Sequence, residues 1–137
     1  MIQEVIFKLN NEDFGLDIMN VNEIIRMQPL TAMPNTSDYV RGVTNIRGKV
    51  ILVISLNSLL NMEESVEDDR TRIIVVSVGE KMYGFKVDSV SEIIKIEDEQ
   101  IEKQEVIGED KNNNYIFGIA KIDDRLVKLI DLEKILQ

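Results

Sequence analysis

The strongest constraint on this chain is an internal repeat. "VIFKLNNEDFGLDIMNVNEII" (Val5–Ile25) aligns without a gap on "IVVSVGEKMYGFKVDSVSEII" (Ile74–Ile94), 69 residues later. Phe14-Gly15 falls on Tyr83-Gly84, and Val21-Asn22-Glu23-Ile24-Ile25 on Val90-Ser91-Glu92-Ile93-Ile94. A second block, "YVRGVTNIRGKVILVISLNSLL" (Tyr39–Leu60), matches "YIFGIAKIDDRLVKLIDLEKIL" (Tyr115–Leu136) at a shift of 76, with Gly42 on Gly118 and Ile46 on Ile122. The surplus in the second copy falls near Gly108–Asn114, a polar run of the kind that forms surface loops. Asn61–Thr71, acidic and without an apolar period, reads as a solvated connector. The 137 residues therefore read as one domain made of two repeats, approximately 1–66 and 67–137.

Within each copy the elements are short strands. Val5, Phe7 and Leu9 recur at spacing two, as do Phe14, Leu16 and Ile18. Asn10–Asp13 between them predicts a hairpin with a four-residue polar loop. Val50–Ile54 is an unbroken apolar run and predicts a buried strand. Each copy closes on a leucine-rich segment; Asp131 is placed to cap the last one, with Leu132, Ile135 and Leu136 on one helical face. Two runs of short strands predict two similar small β-barrels. A unit of roughly 65 residues buries only about 60% of its surface, so a third apolar layer between the barrels is expected to complete the burial. Whether each repeat forms its own barrel or strands are exchanged is open at this level.

Composition removes several function classes. No Cys and no His are present, which excludes disulfides, thiolate zinc sites, cysteine nucleophiles and the commonest general base. Acids outnumber bases 25 to 16, so a polyphosphate backbone is repelled and nucleic acid is not an expected partner. No apolar run approaches the roughly 20 residues of a membrane helix, and the N-terminus has no signal-peptide pattern; a cytoplasmic protein without direct membrane insertion is expected. No phosphate-binding glycine loop, nucleophile elbow or calcium loop occurs. No enzyme, no metal and no cofactor is expected.

The repeat also separates shared positions from distinctive ones. Gly15/Gly84, Gly42/Gly118, Tyr39/Tyr115 and Phe14/Tyr83 occur in both copies and are assigned to backbone geometry and packing. Glu23/Glu92 also recurs, so an ion pair or backbone hydrogen bond is its default role. The largest chemical contrast is Asn45-Ile46-Arg47-Gly48-Lys49 against Lys121-Ile122-Asp123-Asp124-Arg125. A hairpin tip tolerates many polar pairs, so this contrast alone leaves a turn role and a binding role both open.

Three elements in register resemble one family. "PNTSDYVRGVTNIRGKVILVISL" (Pro34–Leu56) resembles the central motif of the CheW-like coupling proteins of bacterial chemotaxis, and "FGLDIMNVNEII" and "YGFKVDSVSEII" resemble two further family elements. Ser55 departs from the pattern, which has Asp there; the second copy keeps Asp131. The resemblance implies a mainly β fold of two pseudo-symmetric five-stranded SH3-like barrels around a shared core, with short helical segments. It implies a non-catalytic adaptor joining the regulatory domain of a CheA-type histidine kinase to the cytoplasmic tips of methyl-accepting chemotaxis receptors, recruited to membrane-associated arrays. With no receiver or kinase domain in the chain, a stand-alone adaptor is expected. The alternatives are a related binding module in a non-motility array and a detached kinase regulatory domain. By motif, Arg47 and Gly48 form the partner-contacting tip, and Ile18, Val21 and Glu23 lie near the receptor groove. Gly42, Gly84 and Val90 are positions whose alteration disturbs either interface by deforming a barrel.

Overall fold

The first hairpin pairs β1 (Ile2–Leu9) with β2 (Glu12–Asp17). Its turn is tighter than expected. Only Asn10 and Asn11 lie outside the strands, with φ of 51° and 67°. Asparagine tolerates the left-handed region that a two-residue hairpin turn demands, so Glu12 and Asp13 are free to join β2. Phe7 faces Phe14 across the ladder, their rings stacked 5.9 Å apart. Ile18 does not continue the strand, because the Asp17 carboxylate accepts the Met19 N–H (2.9 Å) and caps a 3-10 turn over Ile18–Asn20.

The computed structural model describes residues 1–103 and 115–135; the polar run Gly108–Asn114 and Leu136 lie outside them. Among the described residues nine further strands follow the first hairpin: β3 (Val21–Arg26), β4 (Val40–Ile46), β5 (Lys49–Ser55), β6 (Arg72–Val78), β7 (Lys81–Val87), β8 (Ser89–Ile96), β9 (Ile101–Lys103), β10 (Ile116–Ile122) and β11 (Arg125–Ile130). Two helical turns, α1 (Leu56–Leu59) and α2 (Leu132–Ile135), follow β5 and β11. The strands form two sheets, in the orders β8-β1-β2-β11-β10-β9 and β3-β6-β7-β5-β4. Each sheet draws on both halves of the chain. The β1–β2 hairpin lies between β8 and β11, whereas the matching β6–β7 hairpin lies between β3 and β5. Parallel pairs β2–β11 and β5–β7 join the exchanged hairpins to their hosts.

The mainly β, two-sheet SH3-like architecture agrees with expectation, with one difference in detail. The second sheet has five strands and the first has six, the sixth being the three-residue β9. Its counterpart in the second sheet is a single bridge between Thr31 and Val43. Gly42 (φ +138°) makes that crossing possible: a Cβ there would come within 2.5 Å of the Thr31 carbonyl oxygen. Gly118 serves β9 likewise, with the Glu102 carbonyl oxygen 3.0 Å from where a Cβ would stand. The paired tyrosines are also structural. The Tyr39 carbonyl accepts the Ser55 N–H (2.8 Å), and the Tyr115 carbonyl accepts the Asp131 N–H (2.7 Å). Ser55 and Asp131 then accept from the Ser58 and Lys134 N–H groups, capping α1 and α2.

Apolar burial comes in three layers. The shared core includes Phe7, Leu9, Phe14, Leu16, Ile74, Val76 and Phe85. The first sheet encloses Ile6, Ile96, Ala120, Val127 and Leu129, and the second Ile46, Ile51, Val53, Ile73 and Val75. Successive residues of Ile73-Ile74-Val75-Val76 thus enter the second sheet's own core and the shared core in turn. That accounts for apolar runs where a half-buried strand would alternate with polar residues. Val50 is the exception to the run Val50–Ile54. It is 72% exposed, as is its counterpart Leu126 at 60%, because each precedes the point where both faces are covered.

Candidate partner-binding surface

Arg47 and Gly48 are the two turn residues of the β4–β5 hairpin, with φ of 53° and 83°. The Asn45 side chain accepts the Gly48 N–H at 2.9 Å and closes the turn. Glycine suits this geometry; arginine at positive φ carries a steric cost of roughly 1–2 kcal/mol. The Arg47 side chain is 82% exposed, and its one recorded ion pair is from Nε to Glu23 Oε2 at 2.9 Å. An exposed pair of this kind contributes about 0–1 kcal/mol. Arg47 is therefore a poor investment for folding, at a tip projecting into solvent.

Glu23 sits on β3, at the opposite edge of the second sheet from β4. The Arg47–Glu23 contact shows that the sheet curls until its two edges approach. The first sheet repeats the device from another position. Glu92 on β8 pairs with Arg125 (3.1 Å), which aligns with Lys49 and not with Arg47. Both glutamates thus have the ion pair expected of a repeated position. Arg125 also meets Asp13 (3.2 Å), and Lys8 approaches Asp13 from the other side (3.2 Å). Burial works against the Asp13 charge, but these cations prevail and hold its carboxyl below the usual range.

The other candidate residues divide between surface and frame. Val21 and Val90 are half-buried and rim the shared core, while Ile18 is half-buried in the capped turn. Next to it Met19 is 85% exposed, and Ile24 on β3 is 39% exposed. These two apolar side chains were not anticipated; the alternation of β3, with Ile25 inward, is the signal that places Ile24 outside. Gly42 and Gly84 are buried within the second sheet, and a Cβ on Gly84 would stand 2.8 Å from Ile73 Cγ2. Within the predicted set the Val21 N–H donates to the Ile18 carbonyl and closes the capped turn, and the Arg47–Glu23 pair joins two side chains.

The connector is less solvated than its composition implied. The Glu64 carboxylate bonds Lys86 Nζ (2.8 Å), the Ser55 hydroxyl (2.6 Å) and Arg41 (2.9 Å). Burial alone would raise its pKa, but the hydrogen bonds from Lys86, Ser55 and Arg41 hold the carboxyl at about 2. Serine at position 55 can still cap α1 while donating its own proton to Glu64. Ser65 adds a second anchor, 2.7 Å from both Asn10 Oδ1 and Asp88 Oδ2. Glu64→Ala is expected to lower stability by about 2 kcal/mol, because Lys86, only 10% exposed, loses its close partner. A folded pKa below the unfolded value means that this contribution is present above about pH 4.5 and lost as pH falls toward 2. Urea unfolding of both proteins at pH 7 and pH 3 measures it; equal losses at the two pH values would contradict this account.

Among the described residues no group of three or more His, Cys, Asp or Glu is arranged to hold a metal ion, and no helix is long and apolar enough to cross a membrane. A model of the CheW-like domain matches residues 3–137. The probable chemotaxis protein CheW of Rhizobium etli is 38% identical over 94% of this chain and 83% of its own length. The chemotaxis protein CheW of Helicobacter pylori is 34% identical over 100% of this chain and 82% of its own length. The crystal structure of the scaffolding protein TtCheW from Thermoanaerobacter tengcongensis superposes with a TM-score of 0.89 at 32% identity, covering 99% of this chain and 88% of that one. Two exchanged hairpins, three apolar layers and a sequence match along nearly the whole chain agree, and the chain belongs to the CheW-like domain family.

Proposed function

We propose that this protein is a non-catalytic chemotaxis scaffold that couples the cytoplasmic tips of chemoreceptors to the regulatory domain of a CheA-type histidine kinase. It acts in the cytoplasm and is recruited to receptor arrays at the membrane. The observation that carries the reading is the Arg47-Gly48 tip: a cation held on a costly backbone, highly exposed and contributing little to the fold. A partner that covers this tip would desolvate the Arg47–Glu23 pair and strengthen it, and the guanidinium has donors to spare for a partner carboxylate or carbonyl. Half-exposed Val21, Ile18 and the protruding Met19 supply apolar surface of the kind an amphipathic helix seeks.

Arg47→Ala is expected to weaken capture of the kinase regulatory domain or of a receptor-tip peptide by about tenfold or more. Its stability is expected to change by less than about 1 kcal/mol. Titration calorimetry with each partner, paired with a melting curve, tests both halves. A large loss of stability would make Arg47 a structural residue. Failure of the parent protein to bind either partner on the order of tens of micromolar would defeat the coupling role itself.

A further inference from the structure

The two barrels differ sharply at one pair of equivalent positions. In the first sheet β1 turns Ile2, Glu4 and Ile6 inward, and Ile2 and Ile6 belong to that sheet's own core. Glu4 is 1% exposed, and its Oε1 has no hydrogen-bond partner among the described residues. Directly across the ladder stands Asp17, whose carboxylate accepts the Met19 N–H and has no ion pair among the described residues. Both acids line a cavity of about 350 Å³. Ile2, Ile101 and Phe117 form its apolar wall.

The second sheet shows how the same place is filled in the other copy. There Ile73 and Lys86 occupy the positions of Glu4 and Asp17 and again face each other across the ladder. Arg41 takes the position of Phe117, and a matching cavity of about 310 Å³ is lined by Arg41 and Lys86. Those two cations are neutralised from within, by Glu64 of the connector. The first barrel has the opposite charge, and among the described residues neither Glu4 nor Asp17 has an ion pair, although Lys103 also lines the cavity.

We propose that the mouth of the first barrel is a binding site for an organic cation, a primary ammonium or guanidinium on a short alkyl stem, which plays there the part that Glu64 plays in the second barrel. The stem packs against Ile2, Ile101 and Phe117, and the head sits between Glu4 and Asp17. Among the described residues the remaining charges at the site are Asp98, which lies 3.5 Å from the N-terminal ammonium of Met1, and Lys103. In the empty site burial, aided by Asp17, pushes the Glu4 carboxyl up to about 8, so it holds a proton at neutral pH. The arriving cation takes the place of that proton, which leaves Glu4 for solvent. Occupancy is therefore linked to pH.

The test is an NMR titration of the intact chain, following the amides of residues 2–6 and 15–17, with n-pentylammonium and with a capped lysine-containing peptide as probes. Saturable shifts are expected from at least one probe, tighter by about tenfold or more at pH 8.5 than at pH 6.5, because only the ionised site is competent. A response to both probes identifies a site open to free amines, and a response to the peptide alone identifies a protein side chain as the source. Glu4→Leu, which copies Ile73 of the other barrel, and Asp17→Asn, which keeps the cap, are each expected to weaken binding at least about tenfold. Equal shifts from n-pentanol, affinity independent of pH, undiminished binding by both variants, or no saturable shift from either probe would each overturn the proposal.

Discussion

Glu4→Leu is expected to melt roughly 10 °C above the parent protein at pH 7, and by much less at pH 4. The reason is linkage. The unfolded chain releases the Glu4 proton near 4.5, whereas in the folded protein burial, with Asp17 opposite, pushes the carboxyl up to about 8. A raised folded pKa means that the parent is at its best below the unfolded value and loses stability as pH rises from about 4.5 to about 8. At pH 7 that loss amounts to roughly 3 kcal/mol, and leucine removes it. The smaller gain at pH 4 reflects the unpartnered neutral carboxyl that leucine also removes. Glu64 acts in the opposite direction at lower pH. The parent's stability should therefore peak near pH 5, and in Glu4→Leu the plateau should extend to pH 8. Melting curves by circular dichroism from pH 4 to pH 9 decide it; parallel profiles for the two proteins would refute the assignment. A residue that costs the fold this much is better understood as serving a ligand than as serving the core.

Gly42→Ala should lose about 3 kcal/mol or more, and Gly48→Ala only about 1 kcal/mol. Both glycines have positive φ, at +138° and +83°. Their surroundings differ. The Gly48 Cβ would meet no atom within 4 Å, while that of Gly42 would lie 2.5 Å from the Thr31 carbonyl oxygen. This oxygen accepts the Val43 N–H (2.9 Å), and the Thr31 N–H donates to the Val43 carbonyl (2.8 Å). Clearing the clash separates Thr31 from Val43 and abandons both hydrogen bonds at the sheet edge. Urea unfolding of the two variants provides the comparison, and equal losses would show that backbone conformation alone governs both sites. Defective partner binding in Gly42→Ala is then expected to follow from a deformed barrel, unlike that of Arg47→Ala.

The repeat made the strands, the glycines and the three layers legible before any coordinates. It could not reveal the exchange of hairpins, because β1–β2 and β6–β7 have the same period and equivalent apolar faces, and each would fit the other's place. Ile18 continued a period of two, but the Asp17 cap overrode it. Val50 was hidden inside an apolar run that carries no alternation to read. Glu64 was missed since its partners Arg41, Ser55 and Lys86 come from three different strands, although Lys86 amid Gly84-Phe85-Lys86-Val87 announces a buried cation in need of an acid. Glu4 was likewise readable in retrospect: the alignment sets it opposite Ile73. The Arg47 tip was singled out from its contrast with Asp123-Asp124, and its pairing with Glu23 depends on a curl of the sheet that no local pattern encodes.

The exchange of hairpins has a consequence for how the chain comes into being. Ile2 pairs with Ile96, so the first strand, already paired with β2, must wait for most of the polypeptide to be synthesised before its second neighbour, β8, exists. Neither half contains a complete sheet, and loop closure over such separations slows folding relative to local hairpins. The same entanglement lets the molecule survive a break. Cut within Asn61–Thr71, the two fragments should each be unstructured alone and reassemble on mixing, since each supplies the strands the other's sheets lack.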